Sequence, residues 1–287
     1  MTKTWAETLY DAWGQQYNID KIYFESGTGH QHLLIFHNSI FGRVMALDGV
    51  VQTTQKDEFI YHEMLTHVPL LAHGKVRRVL IIGGGDGGIL REVCKHRNVE
   101  RITQVEIDQA VIDMAKKYLP AHSDGAYDDP RANIVIADGI DFITKTSEKF
   151  DLIISDSTDP IGPGEVLFTN SFYGNCRRCL NPGGILVTQN GVPFMQMDEV
   201  KGTAKQLSQL FADWHFYTAA VPTYVGGVMS FAWASDDKQL RHIPVERIRE
   251  NFKTAGTHTR YYTPDIHRAS FALPRYLLDA IGKGAES

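Results

Sequence analysis

The 287-residue chain contains no apolar run near the ~18 residues that a transmembrane helix needs, so no membrane span is expected. Its three cysteines cannot form a disulfide framework, and a reducing cytoplasm is the expected setting. There is no low-complexity tract, and 25 glycines and 11 prolines are spread among 22% charged residues, which excludes disorder, collagen and coiled coil. Basic residues are not in excess: 29 Lys and Arg stand against 34 Asp and Glu, for a net charge of −5. Without a basic stripe, nucleic acid is not an expected partner, and mild acidity is compatible with cationic small molecules. The opening stretch MTKTWAETLYDAWGQQ lacks both an apolar signal core and an Arg-rich, acid-poor transit pattern, so no targeting segment is expected. What is present is a 43% hydrophobic composition, enough for one large or two small cored domains.

Three β-branched runs, His32 to Phe36, Arg43 to Leu47 and Val50 to Thr54, are separated by turn signals at Asn38-Ser39 and Asp48-Gly49, which predicts an antiparallel meander. Residues 57–72 carry helical spacing of Phe59, Ile60, Met64, Leu65 and Val68, with Pro69 expected to kink or shorten the helix. From Lys75 onward, near-continuous apolar strands alternate with helix-length segments. That pattern predicts an α/β fold, a Rossmann-like doubly wound parallel sheet covered on both faces. Two β-rich runs joined by Tyr224-Val225-Gly226-Gly227 predict an antiparallel hairpin at the sheet edge, and the tail predicts a short helix or loop. The division expected is a small N-terminal β-domain over 1–66 and a catalytic domain over 67–287.

Gly83 to Gly88, reading GGGDGG, follows the strand VLII and precedes the helix ILREV. Glycine lets the backbone turn tightly and approach a ligand, so Gly83 and Gly85 are candidates for a site floor at the carboxyl end of the sheet. The spacing also fits a dinucleotide fingerprint, with Glu106 following at the next strand end. Asp86 weighs against that reading, because a carboxylate beside a pyrophosphate is repulsive. Acids also end the following strands: Glu106, Asp138 and Asp156, with Asp159 just beyond and Gln189 after the fifth strand. Clustered carboxylates repel and their burial is costly, so the row is expected to serve a ligand. Glu106 suits a ribose diol, and Asp138 with Gly139 suits an adenine amino group. Asp86, Asp156 and Asp159 call for cationic groups, which together describe a sulfonium nucleoside and an amine.

These stretches resemble the spermidine synthases, a polyamine aminopropyltransferase family. The similarity runs from about Trp5 to Pro274 and rests on FGRVMALDGVVQTTQKDEFIYHEML, VLIIGGGDGGILREV, VEID and, above all, DLIISDSTDPIGPGEVLF. The resemblance implies aminopropyl transfer from decarboxylated S-adenosylmethionine, a co-substrate rather than a cofactor, to putrescine. It also implies a methyltransferase-like Rossmann domain behind a small β-domain, in a homodimer or homotetramer. Carried over by motif, Asp156 would be the proton acceptor. Gln31, Glu106, Asp138, Gly139 and Pro163 would hold the nucleoside, and His62, Asp86 and the run Asp156, Ser157, Thr158, Asp159 would hold the amine. Tyr61, Gln52 and Tyr224 would line the amine channel.

An amine N-methyltransferase and a non-catalytic binding module stand as alternatives. The first would need a basic or neutral group for the methionine carboxylate, to which Arg91 or Lys56 are candidates. The loop Asp159 to Gly164 is expected to act as a lid, and Tyr61, Tyr224 and Trp5 to offer aromatic walls. Cys176 and Cys179 form a CxxC without further ligands at zinc spacing and are expected to pack in a helix, with Cys94 likewise buried. The 12 histidines show no HExxH, and no metal site is expected.

Overall fold

A computed structural model describes residues 3–156 and 169–284. The chain opens with a two-stranded antiparallel ribbon, β1 (Lys3–Ala6) and β2 (Gln16–Ile19). A four-stranded antiparallel sheet follows: β3 (Lys21–Gly27), β4 (His32–Asn38), β5 (Gly42–Leu47) and β6 (Val50–Thr54). The predicted meander is β4 to β6. Asp48 and Gly49 both take positive φ, 47° and 81°, the pairing a two-residue hairpin demands. One face of this sheet buries Tyr17, Phe36 and Val44 with Trp5; the other sets Leu33, Ile35 and Met45 against Val111 and Leu119. Trp5 is therefore a packing residue, tilted against Tyr17 and Phe36, and not a ligand wall.

Helix α1 (Glu58–His73) leads into the large sheet, whose strands are β7 (Arg78–Gly83), β8 (Arg101–Glu106), β9 (Ala132–Ile136), β10 (Phe150–Asp156), β11 (Leu180–Gln189), β12 (Asp213–Ala220) and β13 (Val228–Ser235). Between them lie α2 (Gly88–Cys94), α3 (Gln109–Tyr118), α4 (Pro120–Ser123), α5 (Gly139–Lys145), α6 (Asn170–Cys179) and α7 (Met197–Leu210). After the sheet come α8 (Val245–Ala255), α9 (Pro264–Ser270) and α10 (Arg275–Ala280). The order across the sheet is β12-β13-β11-β10-β7-β8-β9. Pairs among β7 to β11 are parallel, while β12 and β13 form the antiparallel edge hairpin expected from the sequence. One apolar layer joins α1 and α2 to Val79, Ile81, Leu152 and Ile154; the other joins α6 and α7 to Leu80, Ile82 and Ile153. Alternate side chains of central strands thus feed both layers, as a doubly wound sheet requires. Among the described residues no helix is long and apolar enough to cross a membrane.

Four expectations are corrected here. Pro69 does not shorten α1, which runs on to His73 and ends on Gly74 in the left-handed region. The helix is buried along almost its whole length, and that packing outweighs the one backbone bond a proline removes. The expected division after residue 66 falls inside α1. That helix packs on α2 and the large sheet, so the chain changes unit before Glu58. The tail is longer in helix than expected, with α9 and α10. Cys176 and Cys179 are buried in α6, but Cys94 is only half-buried.

The tail is tied to α1 by one carboxylate. Glu63, 1% exposed, accepts backbone N–H bonds from Arg260 at 2.7 Å and from Tyr261 and Tyr262 at 2.8 Å each. Removing it strands three backbone donors, one buried and two part-buried, so Glu63→Ala is expected to cost about 1–3 kcal/mol, with Glu63→Gln costing less. Urea unfolding, read as a midpoint shift at constant slope, checks this.

Candidate active site

The parallel part of the sheet reverses its winding between β7 and β10, and ligands in open α/β sheets bind at such a switch point. Gly83, the last residue of β7, is in register with Asp156, the last residue of β10. The backbone leaves β7 through Gly83 and Gly84 at φ of 86° and 68°, values that an L side chain rarely adopts. From β8, buried Gln104 donates its amide to the carbonyls of Gly83 and Gly84 at 3.0 and 2.6 Å and pins this turn. At Gly85 a Cβ would lie 2.9 Å from Glu106 Oε2, so glycine there makes room for the carboxylate.

Over this turn lies a pocket of about 1360 Å³, open mouth included. It gathers Gln31, Gln52, Tyr61, His62, Gly83, Gly85, Asp86, Glu106, Asp138, Gly139, Asp156 and Tyr224. Of the sequence-predicted site residues within the described range, all but Trp5 line this one cavity. Ser157, Thr158, Asp159 and Pro163, and the expected lid, lie outside the described residues. The lining includes five carboxylates, from Glu7, Asp86, Glu106, Asp138 and Asp156, and no lysine or arginine among the described residues.

Glu106 and Asp156 do end β8 and β10, as Gln189 ends β11. Asp86 and Asp138 do not end strands. Asp86 lies three residues past β7, where its Oδ1 accepts the Gly88 N–H at 2.8 Å. Asp138 lies two residues past β9 and is exposed, capping α5 by accepting from Ile140 and Asp141 N–H. Both are set by turn and cap hydrogen bonds, which apolar runs do not encode.

Burial raises the Asp156 carboxyl to about 6, with the charge of Asp86 adding to it, although Tyr61 donates its hydroxyl to Asp156 Oδ1. Burial likewise pushes Glu106, 7% exposed, to about 7, against the Asp108 N–H it accepts at 3.0 Å. Gln31 is held by Asp108 Oδ2 at 3.3 Å, which also accepts from Thr28 Oγ1 at 2.6 Å and so ties the β3–β4 turn to the end of the pocket beside Glu106. Tyr61 meets Tyr224 edge-on at 5.8 Å, and Tyr224 donates to the Gln52 carbonyl at 2.9 Å, making a wall that is aromatic on one face and polar at its rim.

His62, 3% exposed, stands between Glu58, 2.6 Å from Nδ1, and Asp86, 3.2 Å from Nε2. Burial alone would lower its pKa, but the two acids raise it to about 10. Asp86 in turn is held well below the usual range despite burial, by His62, His122 and the Gly88 N–H. Arg91 does not reach the pocket: it is spent on Glu58, Glu92 and the carbonyls of Ala121 and His122. Lys56 is exposed and absent from the lining. The cation seated among the acids is therefore an imidazolium, which sequence reasoning did not assign.

Glu7 and Glu58 were also missed. Glu7 accepts from Val51 N–H at 2.9 Å and from Gln15 at 3.1 Å, fixing its carboxylate on the pocket wall. It sits in a loop with no periodic signal. Glu58 reads in sequence as an ordinary acidic first turn, and only its spacing of four from His62 hinted at a pair.

An acid raised by burial binds its proton more tightly folded than unfolded. Stability is then lost as pH climbs from the ordinary carboxylate range through about 6 for Asp156 and about 7 for Glu106. His62 acts in a different window: its contribution is full below its ordinary value and fades as pH rises through about 10. Asp156→Asn is accordingly expected to stabilise the ligand-free protein at pH 8 by about 1–3 kcal/mol, and little at pH 4. Denaturant unfolding at both pH values checks the sign.

Residues 58–243 match the spermine/spermidine synthase domain, and residues 4–55 match the spermidine synthase tetramerisation domain. The chain is 66% identical over 277 residues to polyamine aminopropyltransferase 1 of Pseudomonas aeruginosa, covering 96% of this chain and 97% of that one. It is 59% identical over 279 residues to a polyamine aminopropyltransferase of Escherichia coli, covering 97% of each. Among solved structures it is similar to a spermidine synthase in complex with the transition-state analogue AdoDATO, with a TM-score of 0.92, 38% identity and coverage of 98% of this chain and 95% of that one. The Thermotoga maritima spermidine synthase gives 0.89, 36%, 98% and 94%. With the glycine turn, the acids of the switch point and this likeness along nearly its whole length, the chain belongs to the spermine/spermidine synthase family.

Proposed function

We propose that the chain is an aminopropyltransferase that moves the aminopropyl group of decarboxylated S-adenosylmethionine to putrescine, giving spermidine and methylthioadenosine. The observation that carries this reading is a pocket lined by five carboxylates and no lysine or arginine among its described residues. Such a lining favours a sulfonium donor and an alkylammonium acceptor. It disfavours ordinary S-adenosylmethionine, whose α-carboxylate would be desolvated beside Asp86 with no cationic partner other than one already held by two acids. The AdoDATO complex of a protein 38% identical supports the same pairing of substrates.

In this reading Gln31 and Glu106 hold the ribose side, and Asp138 with Gly139, at the start of α5, holds the base. Tyr61 and Tyr224 flank the methylene chain, and Gln52, His62 and Asp86 face the acceptor. The amine lone pair attacks the methylene next to sulfur. The C–N bond forms, the C–S bond breaks with its electrons going to sulfur, and the charge passes from sulfonium to nitrogen. Asp156 takes the proton that this nitrogen gives up to free its lone pair, and the secondary ammonium formed keeps the charge. Its carboxyl near 6 is a closer match to an amine than an ordinary aspartate, and it is ionised above that pH. Placement of two reactants in line contributes alongside basicity. The donor is consumed, so no separate cofactor enters the chemistry. The N-terminal β-unit is the assembly element of a homo-oligomer, a reading supported by its match to a tetramerisation domain. The setting is cytoplasmic.

Purified protein mixed with putrescine and either donor, with products identified by mass, is expected to yield spermidine from the decarboxylated donor. Methylputrescine from the carboxylated one would overturn the assignment. Asp156→Asn is expected to lower kcat by about 10²–10⁴-fold while leaving donor affinity within a few-fold. Isothermal titration with methylthioadenosine beside steady-state rates separates the two effects.

A further inference from the structure

The acids that attract a diamine also create an obstacle. A carboxylate next to the reacting nitrogen stabilises its ammonium form, which has no lone pair. Asp86 lies in the pocket lining with Asp156, and its charge is felt there. The arrangement behind Asp86 answers this.

Both ring nitrogens of His62 face carboxylate oxygens, Glu58 Oε2 at 2.6 Å and Asp86 Oδ2 at 3.2 Å. Nδ1 is hydrogen-bonded to Glu58 and Nε2 is ion-paired with Asp86, and a ring flanked by two carboxylates is held as an imidazolium. Its position is over-determined. Glu58 is clamped by Arg91, with Nη2 to Oε2 at 2.8 Å and Nη1 to Oε1 at 3.2 Å. Asp86 Oδ1 is held by the Gly88 N–H. The ring lies so close to α2 that a Cβ on Gly88 would come within 2.2 Å of it. Of the other groups around it, Tyr61 on α1 presents its ring edge-on at 5.6 Å, and His122 on α4 lies at 6.2 Å, its pKa lowered by burial. Asp156 on β10 feels the His62 charge and Arg91 on α2 acts through Glu58.

We propose that Glu58 is a positioning residue that keeps His62 protonated, and that this buried cation offsets the field of Asp86 so that the reacting ammonium can pass its proton to Asp156. The proposal rests on the aminopropyl-transfer reading and adds a residue outside the main cavity lining to it. The proton moves from the ammonium nitrogen to the Asp156 carboxylate, leaving a neutral amine and a carboxylic acid. No other reactant is involved.

Histidine-labelled protein, with the His62 signal assigned by its loss in His62→Gln, tests the first half by NMR titration. In the native protein His62 is expected to remain protonated from pH 6 to 9. A neutral His62 at pH 7.5 overturns the proposal whether or not any variant folds. In Glu58→Gln its midpoint is expected to fall from about 10 to below 7.5, so that the ring is neutral in the assay. Kinetics test the second half. With His62 neutral, Asp86 holds the ammonium more firmly, so the acidic limb of the kcat profile shifts up by about one pH unit. At pH 7.5 kcat then falls about tenfold, while KM for the diamine stays level or drops. Glu58→Asp is expected to recover part of the loss. A uniform fall in kcat with no shift of the limb, or a raised KM, would mean ordinary structural damage and sink the idea. A native protein that makes no spermidine refutes the functional reading instead, so the two failures are distinguishable.

Discussion

Like charges brought into one low-dielectric cavity repel, and the switch point between β7 and β10 is organised around that repulsion. Five carboxylates converge there, and they are handled in different ways. Asp86 is matched to an imidazolium and a backbone N–H. Asp138 caps a helix at the exposed rim. Glu7 accepts from Val51 and Gln15. Glu106 and Asp156 are the least compensated, and theirs are the carboxyls that burial pushes up. A cation brought to this pair would stabilise their ionised forms. Folding bears that cost in the ligand-free state, a common feature of sites built for charged substrates.

The glycine turn makes the arrangement spatially possible. Its positive-φ residues fold the chain back after one step, and Gln104 fixes the exposed carbonyls from the neighbouring strand. The roof comes from another part of the chain. Met45, Leu47 and Val51 line the cavity from the N-terminal sheet, and Gln31 is tethered to Asp108 on the far unit. Neither unit closes the pocket by itself, which is why residues far apart in sequence share it.

Much of this was legible in the sequence, for reasons that can be traced to particular residues. Glu106, Asp156 and Gln189 follow unbroken apolar runs, and a polar residue at such a point must lie at a strand end. Asp86 and Asp138 obey different rules, because turn and cap geometry decide how far a strand runs and hydropathy does not. Pro69 carries a breaker signal that a fully buried helix overrides. Glu7 acquires its place through a contact with Val51 forty-four positions away, and Glu58 through Arg91, thirty-three away; local pattern contains neither. The resemblance contributed residue roles that spacing by itself could not, and it carried no hint of the imidazolium between Glu58 and Asp86.

The seat of His62 on Gly88 has a historical side. The two positions lie twenty-six residues apart, yet each limits what the other can become. While an imidazole occupies position 62, even the smallest side chain at position 88 collides with it. A lineage can therefore alter position 88 only after position 62 has shrunk or turned away, and the reverse order passes through a clash. Of the two residues the glycine is the less free to drift, although it carries no chemistry of its own.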